Sequence, residues 1–190
     1  MNVVLASASP RRKELLQMIG IQPQVLPPDI EEILHPGEAI EEFLRRVAIA
    51  KGIAVYRKSF FQSLLVSADT VVLLDGSSIG KPGDRGEAQA MLRRLSGRMH
   101  QVLTGLAVMH QGETRFAISR TRVFFKALED REIDLYLDHE HFLDKAGAYA
   151  IQGRAALFVE RIEGCFFNVM GFPLNLFYRM LIERGVHLDD

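Results

Sequence analysis

The spacing of apolar positions changes along the chain, and these changes predict an alternation of strands and helices. Continuous β-branched runs predict buried strands, whereas apolar residues three and four positions apart predict helices that pack by one face. The predicted strands cover residues 3–5, 63–74, 101–110 and 114–125. The predicted helices cover residues 10–19, 38–55, 84–95, 130–137 and 174–184. This succession indicates an α/β fold with a mixed sheet.

Two segments in the second half of the chain have a different pattern. Residues 144–153, DKAGAYAIQG, are rich in small residues and predict a tight functional loop rather than a helix. Gln152 at its end has an amide that suits either hydrogen bonding to a base edge or capping of the loop backbone. Residues 155–162 and 166–170 predict a hairpin that turns at Glu163 and Gly164.

The segment between the first strand and the first helix, SASPRRK at 7–13, combines a turn with positive charge. Ser9 suits the N-cap position and Pro10 the first helical position. Arg11 and Arg12 then lie in the first turn, where the helix dipole favours anions over cations. Free backbone N–H groups beside two guanidinium groups make a socket for a polyanion, most simply phosphate. The alternative is a solvated basic helix start.

Charged residues also interrupt other apolar segments. Asp69 lies within the apolar run 63–74, where a carboxylate is costly unless it is paired, bound to a metal or facing a wet cleft. A strand-end residue bonded to a neighbouring turn is the alternative. Lys81 is held in a stiff Gly-Lys-Pro corner. Lys51 lies on a predicted helix, either at the surface or reaching into a cleft.

Composition and charge exclude several classes of protein. The 190 residues are 48% hydrophobic with a net charge of −1, so the chain is not a general nucleic-acid or membrane-surface binder, and any anion site is local. The single cysteine, Cys165, excludes an internal disulfide and fits a reducing cytoplasm. No apolar run approaches the ~20 residues that a membrane span needs. The chain lacks an HExxH motif, and Pro82 after Lys81 departs from a P-loop.

Five segments together resemble one known family. They are SASPRR at 7–12, SADTVV at 67–72, GKP at 80–82, LSG at 95–97 and DKAGAYAIQG at 144–153. In this order, and over almost the whole chain, they resemble the Maf-like nucleotide pyrophosphatases. The resemblance implies hydrolysis of a nucleoside triphosphate to the monophosphate and pyrophosphate in the cytoplasm.

The resemblance also implies an architecture and partners. It implies a single Maf-like domain over 1–190, with an elongated mixed sheet flanked by helices and two lobes, similar to the inosine-triphosphate pyrophosphatases. The active site would lie in the cleft between the lobes. A divalent metal, Mg²⁺ or Mn²⁺, and often a homodimer accompany this architecture, whereas nucleic acid and membrane partners do not.

Roles for individual residues follow from the same resemblance. Asp69 takes the place of the catalytic acid, as general base or as metal ligand, and Glu32 is a further candidate metal contact. The implied substrate-binding residues are Ser7, Arg11, Arg12, Lys51 and Lys81. The implied specificity residues are Arg11, Thr70 and Gln152. This combination resembles the branch that hydrolyses dTTP and UTP.

Two other functions remain open at this stage. One is hydrolysis of 7-methyl-GTP, which is the activity of another branch of the family. The other is nucleotide-dependent regulation of cell division with little turnover, because family members have been linked to septum formation. A departure from the family pattern, Ala150 where glycine is usual, predicts a slightly stiffer loop.

Overall fold

The computed structural model describes residues 2–187, with the side chain of Lys58 excepted. Within this range the strands are β1 (Val3–Ala6), β2 (Gln24–Val25), β3 (Leu64–Leu74), β4 (Ser77–Ile79), β5 (Met99–His110), β6 (Glu113–Phe125) and β7 (Val159–Glu163). The α-helices are α1 (Pro10–Met18), α2 (Ile40–Val55), α3 (Arg85–Leu95), α4 (Asp130–His139), α5 (Phe166–Val169) and α6 (Leu174–Ile182). Across the described residues, each helix is too short or too polar to traverse a lipid bilayer.

The strands of the described region form one mixed sheet. Its order is β2-β1-β3-β5-β6-β7, and β4 pairs with β3 outside this path. β1 lies parallel to both β2 and β3, whereas the β3–β4 and β6–β7 pairs are antiparallel. The predicted α/β fold with a mixed sheet is confirmed, and the elements predicted before residue 144 agree with the structure to within about two residues at each end.

The chain separates into two compact units. The first comprises Met1–Asp69, Thr104–Ser119 and Gly171–Asp190, and the second comprises Thr70–Leu103 and Arg120–Met170. Strands β3, β5 and β6 each contribute residues to both units. The cleft that the family resemblance implies stays a prediction.

In the first unit, helix α2 packs closely against the sheet. Its buried face carries residues at helical spacing, namely Phe43, Leu44, Val47, Ala48, Lys51 and Val55. Gly52 lies at the closest approach, since a Cβ atom there would be 2.7 Å from Met109 Cε and 3.0 Å from Leu65 Cδ2. A side chain at this position would require the Met109 side chain to shift, and the glycine lets the helix backbone approach β3 and β5.

In the second unit, the hairpin predicted over 155–170 is wrong. Residues 153–158 form 3₁₀ turns, β7 pairs with β6, and 166–169 form α5 instead of a strand. The cause is a set of side-chain hydrogen bonds from the sheet. Thr121 Oγ1 accepts from the backbone N–H of Cys165 at 3.0 Å, and Asn168 Nδ2 donates to the Val102 carbonyl at 2.9 Å. These bonds hold the apolar sequence FFNV as a helical turn that its hydrophobic pattern does not encode.

Candidate active site

The turn after β1 is ordered by a buried serine hydroxyl. β1 runs parallel to β3 with Ala6 opposite Ser67, so the turn begins where β3 approaches its middle. Ser7 is buried, and its Oγ accepts from the backbone N–H of Ser9 at 3.2 Å. Helix α1 begins at Pro10, as predicted, but the Ser9 side chain makes no cap hydrogen bond. The hydroxyl of Ser7, rather than that of Ser9, therefore orders the helix start.

Arg12 ties the helix start to two other segments of the first unit. Its Nη1 donates to the Ala68 carbonyl at 2.8 Å and to Ser7 Oγ at 3.2 Å. Its Nε donates to the Gly171 carbonyl at 2.9 Å. Because these acceptors come from β3, from the turn after β1 and from the segment before α6, Arg12 fixes the turn beside the middle of β3. A solvated helix start is therefore wrong for this residue.

The charge of Arg12 is balanced by carboxylates of the same unit. Burial lowers the pKa of Arg12, while Asp69 and Glu32 act in the opposite direction and Arg11 adds to the lowering. A guanidinium group remains charged in proteins despite such shifts. Arg11 is half-buried in the first turn of α1. Two cations thus lie in the first turn of α1, where the helix dipole is also positive. This end of the helix is therefore favourable for an anion.

The centre of the candidate site is an ammonium group shared by two carboxylates. Lys51 Nζ lies 2.6 Å from Asp69 Oδ1 and 2.7 Å from Glu32 Oε1. The side chains of Lys51 and Asp69 are 6% and 8% exposed, whereas that of Glu32 is 39% exposed. The buried carboxylate and ammonium neutralise each other, and the second carboxylate approaches them from the solvent side. Pairing was one of three options that the sequence left open for Asp69, and the structure shows the carboxylate paired with Lys51.

Helix α2 and strand β3 place this pair by their own periodicities. Ser67 and Asp69 are two residues apart on a strand and share one face of it. Ala48 and Lys51 are three residues apart on a helix and also share a face. Ser67 Oγ donates to the Ala48 carbonyl at 2.6 Å, one helical turn before the ion pair. Ser67 was not identified from the sequence, although its two-residue spacing from Asp69 within an apolar run was the available signal.

A divalent metal fits the donor set of this cluster. Asp69 and Glu32 offer hard carboxylate oxygens, which Mg²⁺ and Mn²⁺ prefer, and both are within reach of one ammonium group. Among residues 2–187, His, Cys, Asp and Glu form no group of three or more that could hold a metal ion. One or two protein carboxylates nevertheless suffice for Mg²⁺, which takes its remaining ligands from water and substrate phosphates.

The remaining candidate residues belong to the second unit. Lys81 is exposed and follows Gly80, whose carbonyl accepts from the backbone N–H of Gly147 at 3.0 Å. The Gly-Lys-Pro corner and the 144–153 loop are therefore held together. Gln152 is exposed at the end of this loop. The structure thus groups Lys81 with the loop of Gln152, and their place relative to Asp69 stays a prediction.

Two further residues singled out in the sequence, Thr70 and Ala150, have no left-handed backbone. Thr70 is half-buried in β3, immediately after Asp69. Ala150 is not among the described residues with positive φ angles. Its Cβ therefore needs no left-handed backbone, and the stiffening of the loop stays a prediction.

Comparisons with known proteins match nearly the whole chain, including the five segments that resemble the family. A family model described as "Maf-like protein" matches residues 2–184. A dTTP/UTP pyrophosphatase from Syntrophomonas wolfei is 43% identical over 97% of this chain and 98% of its own length. Proteins of the same name from Thermotoga maritima and Aromatoleum aromaticum are each 44% identical, over 97% and 98% of this chain and 90% and 97% of their own lengths.

A solved structure shares the architecture at much lower sequence identity. The Ham1 protein of Staphylococcus aureus aligns with a TM-score of 0.52, covering 97% of this chain and 100% of its own. The two sequences are 16% identical. At this level the likeness concerns the fold alone.

Proposed function

Because the chain belongs to the family of Maf-like proteins, we propose that it is a nucleoside triphosphate pyrophosphatase that acts on dTTP and UTP. Relatives that carry this name share 43–44% of their residues with it over nearly the full length. The observation that carries the proposal is the Lys51–Asp69 pair with Glu32 beside it. A protein that only binds a polyanion does not need a buried carboxylate beside two cations. Hydrolysis, in contrast, requires a group that accepts a proton from water.

In the proposed reaction, water attacks the α-phosphorus. The bond from this phosphorus to the bridging oxygen breaks, and pyrophosphate leaves with that oxygen. Asp69 accepts a proton from the attacking water as general base. Lys51 Nζ, 2.6 Å from Asp69 Oδ1, fixes the orientation of the carboxylate. A residue that holds a reacting group within such a narrow range lowers the entropic part of the barrier.

A bound Mg²⁺ or Mn²⁺ is part of the proposal, and Asp69 and Glu32 would hold it. When bound, the ion would polarise phosphate oxygens and neutralise charge on the triphosphate. The role of Asp69 as metal ligand is an alternative to its role as general base, and both use the same carboxylate. Lys51 keeps the two carboxylates together whichever role Asp69 has.

The basic residues hold the phosphate groups in this scheme. Arg11 and Lys81 present their charges from exposed or half-buried positions, whereas Arg12 is engaged with backbone carbonyls. We therefore assign the direct contacts to Arg11, Lys81 and the Ser7 turn, and assign Arg12 mainly to holding that turn. Preorganised donors of this kind typically contribute about 10²–10³-fold each to the rate.

Base selection is assigned to Arg11, Thr70 and Gln152. Thymine and uracil present O4, N3–H and O2, and an amide such as that of Gln152 pairs with a donor and an acceptor together. Cytosine exchanges the donor and acceptor on this edge, so it leaves polar groups unpaired and is rejected.

Reduced Cys165, half-buried and free, suits the cytoplasmic location that goes with a nucleotide pool.

A nucleotide panel with product analysis tests the proposal. With Mg²⁺ present, dTTP and UTP should be hydrolysed well ahead of ATP, GTP, CTP and 7-methyl-GTP. The products, separated by chromatography, should be the monophosphate and pyrophosphate. Preference for 7-methyl-GTP would contradict the assigned specificity, release of orthophosphate would indicate an ordinary phosphatase, and binding without turnover would favour a regulator.

A further inference from the structure

A buried polar contact in the second unit lies outside the proposed chemistry. His100 on β5 is 1% exposed, and its Nε2 lies 2.7 Å from the hydroxyl oxygen of Tyr149. Tyr149 belongs to the 144–153 loop, three residues before Gln152. The contact therefore joins the rigid sheet to the loop that carries a candidate specificity residue.

Three aromatic rings fix the geometry of this contact. His100 and Tyr149 each meet Phe125 edge to face with ring centroids 4.9 Å apart, and they meet each other at 5.4 Å. The interplanar angles lie between 72° and 87°. Perpendicular packing of this kind is the favoured arrangement for aromatic pairs. Neither the imidazole nor the phenol ring can rotate without losing contact with Phe125.

The contact joins two uncharged groups. Burial lowers the pKa of His100 to about 4, and burial also raises the pKa of Tyr149. Within the described residues, the other ring nitrogen of His100, Nδ1, makes no hydrogen bond. The hydrogen-bonding contact of this buried imidazole is thus made to Tyr149. Any polar influence of His100 on the loop therefore passes through that hydroxyl.

The loop that Tyr149 anchors has an uncommon backbone. Gly147 and Ala148 are both left-handed, with φ angles of 70° and 61°, and Ala148 is fully buried. Alanine adopts this region only where its surroundings enforce it. Two constraints surround the turn: the bond from Gly147 to Gly80 on one side and the side chain of Tyr149 on the other.

We propose that His100 acts through Tyr149 to hold the left-handed turn of the 144–153 loop and thereby places Gln152 for base selection. His100 and Tyr149 are positioning residues in this scheme, since neither is assigned a contact with the substrate. The inference rests on the proposed function, because selection of the base by Gln152 belongs to it.

Kinetics of Tyr149→Phe test the placement of Gln152. This variant keeps the ring and removes the hydroxyl alone, so the loop spends more time outside its competent conformation. KM for UTP should rise by about 3- to 10-fold, the range of one buried hydrogen bond, and kcat should stay within about twofold. The preference for UTP over CTP should fall by a similar factor.

Matched variants separate positioning from a general loss of structure. Tyr178→Phe makes the same change at an exposed tyrosine of α6, outside this unit, and should leave KM and base preference unchanged. His100→Gln places an amide near the position of Nε2 and should retain much of the wild-type KM, whereas His100→Leu should reproduce the effect of Tyr149→Phe. If Tyr178→Phe and Tyr149→Phe alter KM equally, or if His100→Gln is as impaired as His100→Leu, positioning through Tyr149 is refuted.

Hydrogen exchange provides a readout that does not depend on the substrate. Amides of residues 144–153 should exchange faster in Tyr149→Phe and His100→Leu than in Tyr178→Phe, with other segments unchanged. Unaltered exchange in this loop would overturn the inference. Faster exchange in an enzyme with no preference for UTP would support the loop anchor and instead contradict the proposed specificity.

Discussion

Lys51 satisfies two carboxylates with one ammonium group, which determines how the site responds to substitution. The pair with Asp69 is buried and that with Glu32 is partly exposed, so the first is the stronger interaction. Removal of one member of a buried ion pair leaves an uncompensated charge, which typically costs about 3–5 kcal/mol. Asparagine keeps the hydrogen bond from Lys51, and Glu32 still pairs with that ammonium group, which offsets part of the cost. Asp69→Asn is therefore the informative substitution.

Asp69→Asn should lower kcat for dTTP by at least about 100-fold, because an amide does not accept the proton of the attacking water at neutral pH. Its oxygen still accepts from Lys51, so the fold and the dissociation constant for dTTP should change little. Steady-state kinetics and calorimetric binding measure the two effects.

Asp75→Asn is the matched control for this substitution. Asp75 lies in the turn between β3 and β4 and pairs with exposed Arg98. Its variant should retain wild-type turnover. Near-normal turnover of Asp69→Asn would remove Asp69 from the catalytic role.

The sequence predicted some of these residues for a physical reason and missed others for one. Asp69 is conspicuous because a carboxylate in an apolar run needs a partner, whatever the fold. Lys51 is ambiguous on its helix, because periodicity does not show what a long side chain reaches. Arg12 has the same sequence signature as Arg11, and the carbonyls of Ala68 and Gly171, which are distant in sequence, are what make Arg12 a buried tie while Arg11 is half-buried.

At the scale of elements, prediction was successful where the chain's own periodicity determines the structure. Strand β3 has an unbroken apolar run, and α2 has a buried stripe at helical spacing, so both are local properties. Helix α5 is different, because Thr121 and Asn168 form hydrogen bonds across more than 40 residues of sequence. Such long-range side-chain bonds leave no period in the sequence.

His100 on strand β5 should also make the free energy of unfolding depend on pH. Its pKa is about 4 in the folded chain and near 6.5 when unfolded. Between these values the unfolded chain binds a proton that the folded chain does not, so stability is complete above the unfolded pKa and falls as the pH drops towards 4. The loss should be about 2 kcal/mol between about pH 7.5 and about pH 5.

Urea unfolding of the wild type and of His100→Gln over this pH range measures the effect. The variant lacks the imidazole, so its free energy of unfolding should fall by about 2 kcal/mol less than that of the wild type. Equal losses in both proteins would mean that His100 is protonated in the folded chain as readily as in the unfolded one.

For the molecule as a whole, charge is organised locally. The net charge is −1, so long-range steering of a nucleotide is weak. In the proposed function, binding of a triphosphate then comes from short-range contacts with basic groups and a metal ion. The fold itself has no such requirement, because Lys51 and Arg12 together already compensate the carboxylates that would hold the ion. Activity and stability should therefore respond differently to metal removal.

Removal of divalent metal with EDTA should lower dTTP hydrolysis by at least about 100-fold, since an ion on the phosphates supplies several kcal/mol. The melting temperature should shift by less than about 3 °C, which corresponds to under about 1 kcal/mol for a chain of this size. Activity should return with Mg²⁺ or Mn²⁺. Full turnover in EDTA would contradict the metal requirement, and a large fall in melting temperature would indicate a structural ion.

The close contact at Gly52 bears on the alignment of Lys51 with Asp69. Lys51 is its neighbour in the chain, and the gap between α2 and the sheet is set at Gly52 by the side chains of Met109 and Leu65. The distance from Lys51 Nζ to Asp69 Oδ1 is thus a consequence of the spacing between two layers of the fold. A glycine that lies outside the proposed substrate contacts therefore helps to set the distance between α2 and the candidate catalytic carboxylate.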